Sequence, residues 1–222
     1  MDQNVILVET VPLEFDLESL GCRLRIRPGQ TKFMDRLSRL AEEAVRVARP
    51  KAVARLCGLT ILDEEKVQVG EVIFSSPLLR QKMDGLGRAF PYLASEGTEL
   101  ADWSLSLSSS LEQVFASALR EVAVQQTENL LERTLLERYG IAQVSAMNPG
   151  SLKVWSLEEQ VPLFELLAPL PEKLGVTLLP SLMMRPEYSV SGVFFQTDSK
   201  FYNCQLCPKK ECPNRRTPSL VT

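Results

Sequence analysis

Apolar and polar positions change period several times along the chain. Residues 4 to 9, "NVILVE", are a short apolar run that predicts a first strand, and "CRLRIRPG" at 22–29 alternates in a way that predicts a second. Helical spacing then takes over. Phe33, Leu37, Leu40, Ala41, Ala44, Val45 and Ala48 form one stripe, which Pro50 terminates. Strands are predicted next over 52–57, 66–69 and 71–75.

A long helical region follows. Leu100, Trp103 and Leu107 stand at helical spacing ahead of the serine run 108–110. Ser110 and Gln113 read as a capping box. Beyond it Leu111, Val114, Phe115, Ala118, Leu119 and Val122 share a face, which Leu130, Leu131, Leu135 and Leu136 continue to Gly140. This pattern predicts a core helix packed on a sheet.

From residue 141 the texture changes to short strands and proline-punctuated turns. "GVTLLP" and "YSVSGVFF" are strand candidates, and "SLEEQVPLFELL" predicts a short helix starting near Val161 with Pro162 in its first position. Strands and helices interleave without a repeat or a regular βαβ period. The prediction is an α+β fold with a mainly antiparallel sheet.

Composition narrows the function classes. The 222 residues are 45% hydrophobic and 24% charged, as in ordinary globular proteins. No apolar run approaches the roughly 20 residues that span a bilayer. Acidic residues stand in "MDQNVILVETVPLEFD" where a signal peptide would carry basic ones, so a cytoplasmic location is expected. The net charge of -3 gives no footprint for general nucleic-acid binding. With no histidine, a Ser-His-Asp triad, a Cys-His pair and an imidazole metal ligand are all excluded.

Five cysteines, an odd number, argue against a disulfide framework. Cys22 and Cys57 read as small buried apolar residues. Cys204, Cys207 and Cys212 form C-x2-C-x4-C, which suits three corners of a zinc or iron–sulfur site. A redox-active pair with a spare thiol, or three inert thiols, are the alternatives. Lys209, Lys210, Arg215 and Arg216 make a basic edge around them, suited to an anion or an acidic protein face or simply to solvent.

Three further stretches carry chemistry or plain structure. "NPGS", Asn148 to Ser151, is turn chemistry in which Gly150 permits close backbone approach or positive φ. Two serines and a glycine inside the strand "YSVSG" point to a close backbone or ligand, or to a bulge or edge strand. Ser156 and Glu159 fit a capping box, with ligand contact by Glu158, Glu159 or Gln160 the minor reading.

The order of these pieces resembles a known family. "GIAQVSAMNPGSLKVWSLEEQVPLFELL" followed by "LGVTLLPSLMMRPEYSVSGVFFQTDSKFYNCQLC" is similar to the activation domain of cobalamin-dependent methionine synthase. The similarity extends to stand-alone activation-domain proteins of anaerobes that end in "CQLCP…CP.RR", and it covers residues 139 to 218. It implies a C-shaped domain around a twisted, mainly antiparallel sheet with flanking helices. By this reading residues 1–138 form the N-terminal α/β part, 139–202 the ligand-site region and 203–222 a cysteine-rich basic tail.

The implied function is reductive reactivation of a corrinoid-dependent methyltransferase. The domain docks over cobalamin presented by the partner, a flavodoxin- or ferredoxin-like donor supplies an electron, and S-adenosylmethionine supplies a methyl group. Pro149 and Gly150 match the family's ligand loop, whose arginine and tyrosine positions fall on Ala146 and Ser151. An arginine there would grip a carboxylate bidentately; alanine cannot. Glu159, Ser189, Val190, Ser191, Gly192, Phe194 and Tyr202 match further site positions, and Asn148 opens the loop. An iron–sulfur cluster on the three cysteines would let the protein carry the electron itself. The alternative is a non-enzymatic corrinoid-protein docking module with structural zinc. An independent methyltransferase is disfavoured by the lack of a G-x-G-x-x-G loop after a strand.

Overall fold

The structure, a computed structural model, describes residues 3–209, 211–212 and 215–220. It is α+β, built on an open sheet of eight strands whose ladders are all antiparallel. Among the described residues ten strands are formed, in chain order. They are β1 (Val5–Val8), β2 (Lys51–Arg55), β3 (Cys57–Ile61), β4 (Lys66–Val69), β5 (Val72–Ser75), β6 (Arg88–Ser95), β7 (Val144–Met147), β8 (Thr177–Leu178), β9 (Met184–Arg185) and β10 (Ser189–Gln196). The helices are α1 (Leu17–Arg23), α2 (Thr31–Val47), α3 (Pro77–Lys82), α4 (Thr98–Ser106), α5 (Ser110–Tyr139), α6 (Gln160–Leu167) and α7 (Leu170–Lys173).

The sheet forks around β6. One edge of β6 pairs with β10, which pairs in turn with β7. The other edge is shared: β2 covers Tyr92 to Ser95 and carries β1, while β3 covers Arg88 and Ala89 and leads to β4 and β5. Pro91 falls where pairing passes from β2 to β3. A proline has no N–H for a ladder, so the fork is where a central strand tolerates one. That proline also hid β6 from the sequence pattern.

Three apolar clusters hold the layers together. On one face, Leu131 and Leu135 of α5 pack on Ile6, Ala52, Phe90, Tyr92 and Phe194. On the other, Leu163, Leu166 and Leu167 of α6 pack on Val53, Leu93, Val193 and Phe195. The alternation of β6 and β10 thus feeds both faces, as a two-sided sheet requires. The first half of α5 leaves the sheet and buries Phe115, Leu119 and Ala123 against Leu37, Leu40 and Ala44 of α2 and Leu100 of α4.

The long-helix and α2 predictions match the structure, and several local ones do not. "CRLRIRPG" is not a strand: its first residues end α1, which Asp16 caps by accepting the N–H groups of Glu18 and Ser19 at 3.1 Å. Cys22 is exposed on α1 rather than buried, whereas Cys57 is buried in β3. Phe33 and Val45 sit at the margins of the α2 stripe and remain exposed. Neither capping box forms. The Gln113 side chain donates to the Leu107 carbonyl, and Ser156 pairs with Glu158 instead of capping. "GVTLLP" yields only β8, which pairs with β9 in a ribbon apart from the main sheet. The α6 helix begins at Gln160, so Pro162 is its third residue, still within the first turn where its missing N–H costs nothing.

Candidate functional site

The site lies where β7 and β10 face the second half of α5. Gly192 in β10 makes the approach possible. A Cβ there would stand 2.4 Å from the Met147 carbonyl and 2.6 Å from the Asn148 amide nitrogen. The expected close approach of another backbone to the "SVSG" strand is thus real. Asn148, just past β7, donates from Nδ2 to the Ser191 carbonyl at 2.9 Å and to the Tyr92 hydroxyl at 2.8 Å. Its Oδ1 accepts from Asn203 at 3.0 Å.

Tyr92 is the pivot of this floor. Its hydroxyl donates to Glu128 at 2.7 Å, and its ring stacks on Phe194 with centroids 3.9 Å apart. Burial pushes the Tyr92 phenol well above its usual range, and the neighbouring Glu128 carboxylate adds to the effect. The phenol therefore stays a neutral donor.

Above this floor is a cavity of about 450 Å³, in the size range of small-molecule sites. Ala146, Asn148, Ser151, Val190, Phe194, Tyr202 and Cys204 border it, so residues of the "NPGS" turn and the "SVSG" strand meet Tyr202 there. Glu128 and Glu132 of α5, together with Lys200, Asn203 and Arg216, complete the lining. Neither glutamate was singled out from the sequence. Their one signal was an i, i+4 spacing of carboxylates on a helix otherwise read only as core.

Other expected site residues serve the frame. Pro149 is buried, and Gly150 takes φ +77° with its N–H on the Trp155 carbonyl at 2.9 Å. A Cβ at Gly150 would meet Leu157 at 2.7 Å. The period of two in β10 sends Ser191 away from the cavity, to accept a weak 3.4 Å bond from Gln160 of α6. Glu159 lies on that side too. It accepts the Ser75 N–H at 3.3 Å, and burial raises its carboxyl pKa while that N–H opposes the rise. Ser189 bonds to Ser95 and to the Pro186 carbonyl. These three side chains do not border the cavity.

The three tail cysteines are not gathered. Cys204 borders the cavity, whereas Cys207 packs against the apolar cluster on the α6 face. Between them sits Arg215, whose guanidinium donates to the carbonyls of Cys204 at 2.7 Å, Cys207 at 3.2 Å and Lys209. Among the described residues no group of three cysteine, aspartate or glutamate side chains stands close enough together to hold a metal ion. Cys204, Cys207 and Cys212, the expected metal ligands, are thus not gathered as a ligand set here, and the loop closes carbonyls of Cys204, Cys207 and Lys209 around a guanidinium. All five cysteines are free thiols.

The chain shares its α+β fold with a solved reactivation domain. The chain is similar to the crystal structure of the MetH reactivation domain bound to AdoHcy, with a TM-score of 0.61 and 17% identity. The match covers 89% of this chain and 80% of that one. No protein-family model matches the chain, and no curated protein matches it. Among the described residues no helix is long and apolar enough to cross a membrane.

Proposed function

We propose that the chain is an accessory protein for reductive reactivation of a corrinoid-dependent methyltransferase of the methionine synthase type, and that its cavity holds an S-adenosyl compound. One observation carries the reading. The "NPGS" turn, the "SVSG" strand and Tyr202 meet at a single cavity, on a fold shared with a reactivation domain that binds AdoHcy. The lining suits such a ligand: Phe194 and Tyr202 offer aromatic faces, and Asn148 and Ser151 offer hydrogen-bonding edges.

In this role the protein works by positioning. S-adenosylmethionine would supply the methyl group, the docked partner the cobalamin, and a flavodoxin- or ferredoxin-like protein the electron. This chain's own residues orient the ligand. Gly192 and Asn148 fix the floor, the neutral Tyr92 phenol holds Glu128, and the segment around Tyr202 shields the cavity from water.

The test has two parts. Calorimetric titration with S-adenosylhomocysteine should show one site per chain. Anaerobic mixing with a cob(II)alamin-loaded methyltransferase, S-adenosylmethionine and reduced flavodoxin should then convert the cob(II)alamin spectrum to that of methylcobalamin faster than without the chain. Absence of both ligand binding and acceleration overturns the proposal.

A further inference from the structure

Just past Tyr202 the chain winds into a 3₁₀ turn, Asn203–Gln205. Gln205 donates its N–H to the Tyr202 carbonyl at 2.8 Å, Leu206 to Asn203 at 3.1 Å and Cys207 to Cys204 at 3.4 Å. At about three residues per turn, side chains at i and i+3 eclipse, so Cys204 and Cys207 stand one above the other. A rise of about 2 Å per residue sets their Cα atoms about 6 Å apart. That separation is inside the roughly 4.4–6.8 Å that a disulfide spans. Cys204 is at the cavity end of the turn, and Cys207 is at the end that meets the apolar cluster. The third tail thiol, Cys212, lies beyond the turn.

The turn is braced by residues outside it. The Arg215 guanidinium donates to the carbonyls of both cysteines, at 2.7 Å and 3.2 Å, so one cation holds its two ends. Ser219 Oγ donates to the Cys207 carbonyl at 3.2 Å, and the Leu220 N–H to the Gln205 carbonyl at 2.7 Å. On the other flank Asn203 ties the turn to Asn148 of the cavity floor at 3.0 Å. Both thiols are free and half-buried. Fixing the backbone between two thiols raises the effective concentration of each at the other.

We propose that Cys204 and Cys207 are a redox-active dithiol at the cavity wall, whose substrate is a low-molecular-weight disulfide of the glutathione class. Cys204, on the cavity side, attacks first. Its deprotonated sulfur bonds to one sulfur of the small disulfide, the S–S bond breaks, and one thiolate leaves and takes up a proton. Cys207 then attacks the Cys204 sulfur of the mixed disulfide and expels the second small thiol. The two protein thiols lose two electrons and two protons, and the small disulfide gains both. Excess small thiol reverses the step, so the pair follows the thiol–disulfide poise around it. The site does not depend on what the cavity holds.

The experiment uses Cys22→Ser, which removes the exposed thiol that would itself take up glutathione. The full chain is equilibrated with reduced and oxidised glutathione at varied ratios, quenched in acid, alkylated and mapped by mass spectrometry. One disulfide, Cys204 to Cys207, is expected, with free thiols falling from four (the five less Cys22) to two. At a given glutathione ratio the oxidised-to-reduced ratio of the pair should be about 10-fold or more higher in the folded chain than in urea, because the braced turn holds the sulfurs together. Adding Cys207→Ser should leave glutathione attached at Cys204, the trapped first step, whereas adding Cys212→Ser should change nothing. An unchanged thiol count in the folded chain, a bridge to Cys212, or a pair no more oxidised folded than unfolded would overturn the proposal.

Discussion

The Asn148 side-chain nitrogen stands 2.6 Å from the point where a Cβ on Gly192 would lie, although Asn148 follows β7, Gly192 lies within β10 and the two are 44 positions apart. Only hydrogen at position 192 lets β7 close on β10 and brings Asn148 over Tyr92. Gly192→Ala must push the Met147 carbonyl or the Asn148 amide aside, both held by hydrogen bonds. The expected cost is about 1–3 kcal/mol, as for other overpacked sites, read as a lower midpoint in chemical denaturation. Binding of S-adenosylhomocysteine should weaken as well. A variant of full stability and full affinity would show that the floor is not built this way.

Tyr92→Phe tests the pivot. It keeps the ring that stacks on Phe194 and removes only the hydroxyl shared by Glu128 and Asn148. Two polar groups then lose a partner, at a cost of about 1–3 kcal/mol. The raised phenol pKa gives a second reading. Folded, Tyr92 holds its proton more tightly than in the unfolded chain, where 10.0 applies, so its stabilising contribution is intact below that pH and lost as pH rises further. Spectroscopic titration should find one tyrosine fewer ionising near pH 10 in the folded protein than in the denatured one.

Arg120 and Glu96 form a buried pair that ties α5 to the end of β6. The guanidinium donates twice to the carboxylate at 2.7 Å, once to Ser104 at 3.2 Å, and lies 4.5 Å from the Tyr188 ring centre. Glu96 is wholly buried. Arg120→Met should therefore destabilise by about 3–5 kcal/mol, because it strands a charge. Adding Glu96→Gln should recover part of that loss. A single variant within 1 kcal/mol of the parent, on the order of an exposed pair, would contradict the burial.

Thiol chemistry separates the five cysteines. Burial pushes the Cys57 thiol from 9.0 to about 11, with Arg55 opposing weakly, so it is both shielded and protonated. Iodoacetamide at pH 8 should label exposed Cys22 quickly and Cys57 only after unfolding. The folded chain retains the Cys57 proton, so this contribution is complete below 9.0 and disappears as pH rises towards about 11. Labelling of Cys204, but not of Cys207, should fall when S-adenosylhomocysteine fills the cavity, since only Cys204 borders it.

The tail provides a last measurement. With Arg215 closing the carbonyls of Cys204 and Cys207, anaerobically purified protein is expected to hold neither zinc nor iron and sulfide in stoichiometric amount. Metal at one equivalent per chain would require the loop to open and Cys207 to leave the apolar cluster.

The apolar periods by themselves determined the α2 stripe, the long α5 helix up to Gly140, several of the strands and the α+β class, because those elements are specified by local burial patterns. The motif order also marked the turn and the strand that build the cavity floor. Tertiary structure decided the rest. It placed β6 at a fork that excuses Pro91, and it put Glu159 and Ser191 behind the sheet while Val190 and Phe194 faced the cavity. It also aimed Glu128 and Glu132 across at Lys200 and Arg216. The physical reason is the same in each case. A residue's period says which face it shares with its neighbours, but which element lies against that face is set by pairings between residues tens of positions apart.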